Sequence, residues 1–307
     1  MYTPVPTIKS DSLAIAMNPE LGFQHVSPLQ YMGGKARHIR YLSTLMPANI
    51  DYLFDAFMGG LSTTIFLIKT GRVKPEHCYA GDVSTHLLNF YNVLKTQYEP
   101  LTLKLASDSI FHSNGSRHLF NKAIDVLRGS DDEFELARAF YIFNKIRMPH
   151  VWDFEYTAFS PSKVGPNAGI TIPQILRLPL FAALVQRVAF SEWDYTDALN
   201  QAAAIGKNAF VFLDPPYELV GDELYGVEFD FDEFAEQCHA VAGKCTFMIT
   251  INDSPENRMR FSGYNVIARR QHYSGSHKAN GDELVICNYE LSHQAHYLNR
   301  LGYQVAA

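Results

Sequence analysis

Residues 209–217 read Ala-Phe-Val-Phe-Leu-Asp-Pro-Pro-Tyr, an apolar run that ends at once in an acid, two prolines and an aromatic ring. Five consecutive apolar residues, rings and a β-branched side chain among them, have the composition of a strand buried on both faces of a parallel sheet. Pro215 and Pro216 lack amide hydrogens and hold φ fixed, so neither can extend a strand ladder. Asp214–Tyr217 is therefore expected as a stiff loop at the carboxyl edge of the sheet, where open α/β folds place their ligands. Taken alone, the four residues equally fit a strand-terminating turn with an Asp cap.

The remainder of the chain supplies the rest of such a sheet. Ile39–Met46 has a helical pattern stopped by Pro47, and Asp51–Phe57 reads as a strand running into the turn Met58-Gly59-Gly60-Leu61-Ser62. A helix over Thr63–Thr70 with a Gly71 stop follows, and strand, glycine turn, helix is the opening of a nucleotide-binding βαβ unit. His77–Ala80 forms the next strand, ending at Gly81-Asp82, and Ser84 opens another helix. From about residue 96 to 188 the alternation breaks, with a helix over Asp131–Arg147 and then a Pro/Gly-rich aromatic loop from Pro149 to Pro173, of a length usual for functional loops. After Val188-Ala189-Phe190 it resumes through the 209–213 strand, a helix near 231–242 and a strand over Thr246–Ile251. Tyr264–Arg270 and Glu283–Leu291 are expected as an antiparallel pair closing the sheet edge.

The 307 residues suffice for one large domain with an insertion. No stretch approaches 18 apolar residues, and Met1–Ser10 lacks the order of a signal peptide, so a cytoplasmic protein with no membrane contact is expected. Cys78, Cys238, Cys245 and Cys287 are dispersed, without a C-x-x-C pair or paired histidines; reduced, buried thiols and no metal site are expected.

A net charge of −6 counts weakly against nucleic acid as a partner, but the distribution is uneven. Between Lys207 and Lys244 there is no Lys or Arg, whereas Asn257–Gly281 holds Arg258, Arg260, Arg269, Arg270 and Lys278 without an acid. Two further basic groups are Lys35, Arg37, His38, Arg40 and Arg138, Lys145, Arg147. Each is read either as a solvated face or as part of one basic wall. Gly33-Gly34-Lys35 is not a P-loop, because Leu29 and Ala36 stand where glycine and a hydroxyl are required. The glycine pair at 59–60 gains meaning from Asp82, set at the next strand tip, where a carboxylate can accept both hydroxyls of a nucleoside ribose.

The order Tyr31-x-Gly33-Gly34-Lys35, Asp55-x-Phe57-x-Gly59-Gly60-Leu61-Ser62, Gly81-Asp82, Asp194-Tyr195 and Asp214-Pro215-Pro216-Tyr217 resembles the Dam-type adenine-N6 DNA methyltransferases of the D12 class, particularly their phage branch. The tail from Tyr273 to Tyr289, with Asn280-Gly281-Asp282-Glu283-Leu284, resembles that family's final hairpin. The 159 positions from Asp55 to Asp214 suit this family better than methyltransferases of RNA adenine or protein glutamine, which set the two motifs closer and favour Asn over Asp.

The resemblance implies a doubly wound, Rossmann-like α/β methyltransferase sheet (28–95 and 189–295), an inserted, mostly helical target-recognition region (96–188) and an N-terminal arm (1–27). It implies S-adenosylmethionine across the strand tips, released as S-adenosylhomocysteine: Tyr31, Gly33 and Lys35 at its methionine end, Asp55, Phe57, Gly59 and Gly60 around it, Asp82 at the ribose, Asp194 and Tyr195 beside the adenine. Asp214, which also borders the cofactor, Pro215, Pro216 and Tyr217 would act on an adenine flipped out of double-stranded DNA. Asn144, Lys145, Arg147, Arg269, Arg270 and Lys278 would touch DNA, although Asn144-Lys145-Ile146-Arg147-Met148-Pro149 departs from the family's Asn-Gly-containing segment. A monomer or weak dimer, in a bacterial or phage-infected cytoplasm, is expected. Two alternatives share the fold: methylation of cytosine N4, and a catalytically silent DNA-binding protein.

Overall fold

A computed structural model describes residues 25–31, 33–111, 116–146, 169–216, 229–270, 282–291 and 304–305. Elements are numbered among these residues. The expected doubly wound α/β sheet is what the chain forms. Its strands are β1 (Tyr52–Asp55), β2 (Cys78–Asp82), β3 (Ala189–Glu192), β4 (Ala209–Leu213), β5 (Thr246–Asn252), β6 (Asn265–Arg270), β7 (Asp282–Cys287) and β8 (Gln304–Val305), in the spatial order β3-β2-β1-β4-β5-β7-β6-β8. Strands β1 to β5 run parallel, and β7 is antiparallel to both β5 and β6. Strand order turns about between β1 and β4, and such a switch point opens a crevice at the carboxyl ends.

All five residues of β4 are buried, as a continuous apolar run demands. Successive side chains leave opposite faces of a strand, so Phe210 and Phe212 enter one core and Val211 and Leu213 the other. The second core lies under α9 (Tyr195–Ile205), α10 (Phe231–Val241) and α11 (Pro255–Arg260). The first is covered by α1 (Ile39–Leu45), α2 (Ser62–Lys69), α3 (Thr85–Thr96), α4 (Tyr98–Phe111), α5 (Ser116–Gly129), α6 (Glu133–Ile146), α7 (Ile172–Ile175) and α8 (Leu178–Val185). The helices between 98 and 185 thus share one apolar cluster with the sheet instead of building a core of their own. Helix α6 is almost wholly buried in its last turns, from Ala139 to Ile146, where Asn144 and Lys145 are buried along with the apolar residues around them.

Two expectations change. The tail strands β6 and β7 pair antiparallel as expected, but β7 lies between β5 and β6, and β8, not this pair, ends the sheet beyond β6. The loop expected to Pro173 gives way by Ile172 to α7, whose entry is fixed by Gln174, with its Oε1 accepting from the Thr171 amide at 3.3 Å. All four cysteines are buried and unpaired. Burial pushes their thiols up, Cys245 to about 11 and Cys287 to about 12, which leaves them unreactive. No helix among the described residues is long and apolar enough to cross a membrane.

Candidate active site

Strand register sets three carboxylates side by side. Asp55 at the end of β1 pairs with Ala80 of β2 on one side and Phe212 of β4 on the other, so Asp55, Asp82 and Asp214 come to one sheet edge. Above them runs the glycine turn. Gly59 has φ +43°, and a Cβ there would lie 2.7 Å from Tyr31 Cε1. A Cβ on Gly60 would meet Ser27 Oγ at 2.9 Å. Only glycine lets Tyr31 lie on this turn. Leu61 continues it at φ +57°, a left-handed conformation that costs a non-glycine residue about 1 kcal/mol and clusters at functional sites.

Asp82 holds the turn from below. Its Oδ2 accepts from the Gly59 amide at 3.1 Å, and its Oδ1 accepts from the Ser84 amide at 3.1 Å. Burial raises its pKa, against those amide bonds. Asp55 is more deeply set, 2 % exposed, and accepts from Thr64 Oγ1 at 2.7 Å. Burial first, then repulsion from Asp214 and Asp82, pushes it up to about 7 although the Thr64 bond opposes this. It therefore sits beneath the turn and is not part of its open surface.

One consequence can be measured. The folded chain keeps a proton on Asp55 that the unfolded chain releases near pH 4, so stability falls as pH rises from about 4 towards about 7. The contribution approaches about 1.4 kcal/mol per pH unit inside that window. Asp55→Asn is expected to flatten the pH dependence of denaturant unfolding there, leaving the parts from Asp82 and Asp214. An unchanged slope would show that Asp55 is ionised throughout.

Asp214 follows β4 directly. Its Oδ1 accepts from Lys35 Nζ and, at 2.7 Å, from Thr250 Oγ1 of β5. Among the described residues all bonds to this carboxylate use Oδ1, leaving Oδ2 as an acceptor. Burial raises the Asp214 pKa, and Lys35 and Thr250 pull it back down. The Lys35 ammonium also donates to Gly33 O at 3.1 Å and lies 3.7 Å from Glu283 Oε1 of β7. Lys35 and Glu283 are 3 % and 1 % exposed, so this is a buried three-charge cluster. Pro215 is buried and Pro216 half-buried; Tyr217 lies outside the described residues.

Other expected site residues take different parts. Asp194 caps α9, its Oδ1 accepting from the Thr196 amide at 2.7 Å and the Asp197 amide at 3.3 Å. Tyr195 stacks on Phe57 with centroids 5.8 Å apart, against Phe229 and Phe234. Asn144 is not a surface contact. It is fully buried, its Oδ1 accepting from the Gln30 amide at 2.9 Å and its Nδ2 donating to Gln30 O at 2.8 Å, so it moors the chain just before Tyr31. Lys145 is 8 % exposed, with its ammonium over the Tyr141 ring at 5.3 Å. Arg147 and Lys278 lie outside the described residues, as do the side chains of Arg269 and Arg270 on β6. Of the other basic residues, Arg138 pairs with Asp108 and Glu135, Arg258 with Asp253 and Arg260 with Asp232, as charges on an ordinary ion-paired face do.

Thr250 and Glu283 escaped the reading of the sequence as site residues. Only the adjacency of β5, β7 and the 214 loop brings them to Asp214. Glu283 did carry a signal, being an acid placed directly before the apolar run Leu284–Cys287 of β7.

Residues 31–160 match the family model of the D12 class N6 adenine-specific DNA methyltransferases. The matched stretch contains Tyr31, Lys35, the glycine turn, Asp82 and α6, and stops short of Asp214. No curated protein matches the chain significantly. Among solved structures, the chain is similar to the rRNA methyltransferase aviRa from Streptomyces viridochromogenes, at 12% identity over 94% of this chain and 97% of that one, with a TM-score of 0.36. Over residues 31–160, in a chain whose sheet has the doubly wound order, the protein is therefore similar to the D12 class N6 adenine-specific DNA methyltransferases.

Proposed function

We propose that the chain transfers a methyl group from S-adenosylmethionine to N6 of an adenine flipped out of double-stranded DNA, and that Asp214 binds the reacting amine. The observation carrying this reading is the Asp214 carboxylate at the β4 tip, with Oδ1 occupied by Lys35 and Thr250 and Oδ2 left as an acceptor.

The residues present suit the cofactor. The Gly59-Gly60 turn is a place where any Cβ would intrude, so main chain can approach a ligand closely. Asp82, already an acceptor of two amide bonds, has lone pairs left for ribose hydroxyls. Phe57, Tyr195 and Phe229 form an aromatic wall beside that turn, suited to a flat base; Asp194 serves this wall by capping the helix that carries Tyr195. Tyr31, Gly33 and Lys35 border the methionine end. When bound, S-adenosylmethionine supplies an electrophilic methyl carbon on a cationic sulfur and leaves as S-adenosylhomocysteine.

The chain's own task is to make a poor nucleophile react. An adenine amine has its lone pair delocalised into the ring. Asp214 Oδ2 accepts one amino hydrogen and the Pro215 carbonyl the other, which draws density back to nitrogen and stabilises the positive charge that develops there. The prolines hold both acceptors in place before substrate arrives. The target atom is hidden in a duplex, so the base must leave the stack, and Tyr217 offers a ring to receive it. Base reading is assigned to the 96–188 region and to 257–281, through Arg147, Arg269, Arg270 and Lys278.

The test is incubation of duplex DNA with methyl-labelled S-adenosylmethionine, then nucleoside analysis. Label in N6-methyladenine is expected. Label in N4-methylcytosine would replace this reading with the sister reaction, and no label with cofactor bound would favour a silent DNA-binding protein.

A further inference from the structure

The buried cluster behind Asp214 holds two acids and one base. Lys35 donates to Gly33 O and to Asp214 Oδ1, and its ammonium also lies 3.7 Å from Glu283 Oε1. A Lys35–Asp214 pair alone would be neutral, and a neutral pair is a weak acceptor for an amine that becomes cationic as it reacts. With Glu283 the cluster carries a net negative charge in a region where 1 % and 3 % exposure leave little solvent to screen it. Glu283 itself lies behind Lys35 on β7, where its register neighbours are Asn252 of β5 and Arg269 of β6.

We propose that Glu283 is a positioning residue for methyl transfer. It shares the Lys35 ammonium with Asp214, so that Lys35 fixes Oδ1 while Oδ2 stays electron-rich and aimed at the amine. The inference rests on the reading that Asp214 binds the amine and adds to it a residue from the far side of the sheet. The titratable groups that bear on Asp214 are Lys35 from the turn at 35–37, Glu283 from β7 and Asp55 from β1, which keeps its proton up to about pH 7; Thr250 of β5 contributes an uncharged bond. Because the Glu283 charge disfavours ionisation of Asp214, its removal must move the Asp214 titration to lower pH.

The experiment measures kcat and KM for the full chain across pH 5 to 9 with wild type, Glu283→Gln, Glu283→Asp, Lys35→Met and the Lys35→Met/Glu283→Gln double variant. Glu283→Gln is expected to lower kcat roughly tenfold, less than loss of a group touching the amine. KM for S-adenosylmethionine should stay within about threefold, and the acidic limb of the kcat profile should move to lower pH. Glu283→Asp should restore that limb. A folded Glu283→Gln enzyme with wild-type kcat and pH profile overturns the proposal. Should Glu283→Gln not fold, the double variant decides: kcat equal to that of Lys35→Met alone supports action through Lys35, and a further independent loss overturns it. If wild type transfers no methyl to adenine, the functional reading fails and not this refinement of it.

Discussion

Asp214→Ala is expected to reduce kcat for adenine methylation by about 10² to 10³, the scale for removing one pre-aimed polar contact from a reacting centre. The variant loses the Oδ2 acceptor and also leaves Lys35, 3 % exposed, with Glu283 as its one remaining carboxylate among the described residues. Breaking a buried ion pair from one side costs about 3 to 5 kcal/mol, so part of any loss of activity can come from loss of fold. Asp214→Asn separates the two. It keeps the shape and a carbonyl acceptor for Thr250 but replaces a charged oxygen with a neutral amide. A folded Asp214→Asn protein that binds S-adenosylmethionine, with kcat down by a factor of ten or more, is the expected result; wild-type turnover in both variants refutes the role given to this carboxylate.

The largest effect on stability is expected at Gly81. A Cβ placed there would stand 1.5 Å from Trp193 Nε1 and 2.0 Å from Cδ1, contacts no real structure can hold. Trp193 is 5 % exposed and its ring is rigid, so Gly81→Ala must displace the ring or the tip of β2. Overpacking of this kind costs about 1 to 3 kcal/mol or more. The damage reaches the site, because Gly81 O accepts from the Met58 amide at 2.9 Å and the next residue, Asp82, holds the Gly59 amide. Denaturant unfolding should give the loss of stability, and calorimetry a weaker S-adenosylmethionine affinity. In the Gly81→Ala/Trp193→Leu double variant the losses should be well below additive, since removing the ring removes the collision. Additive losses would locate the effect elsewhere.

Much of the fold could be read along the chain because local chemistry and global structure agree. The 209–213 run could only be an interior strand, Pro47 and Gly71 ended helices where they stand, and Ser84 caps α3 by accepting from the Leu87 amide. Gly71 adopts φ +69°, as a helix-stopping glycine does. The glycine turn and Asp82 were legible for the same reason, each being a residue type with one physical use at that point. The surroundings of Asn144 and Lys145 were not. Asn144 and Lys145 look like surface polar groups in one dimension, and whether a polar side chain faces solvent or pins another segment depends on what the fold lays against it. Here it lays Gln30 against Asn144, 114 positions away.

From its residues alone this chain was bound to make a parallel sheet with a stiff acidic loop at one strand tip and a glycine turn at another, because proline fixes the backbone where it stands and glycine admits turns closed to other residues. Tertiary structure alone decided which charges meet. Lys35, Asp214, Thr250 and Glu283 come from four distant segments, and only the insertion of reversed β7 beside β5 brings Glu283 within reach of the Lys35 ammonium. Electrostatic coupling depends on distance through space and on exclusion of water, and neither quantity is written in the order of the residues.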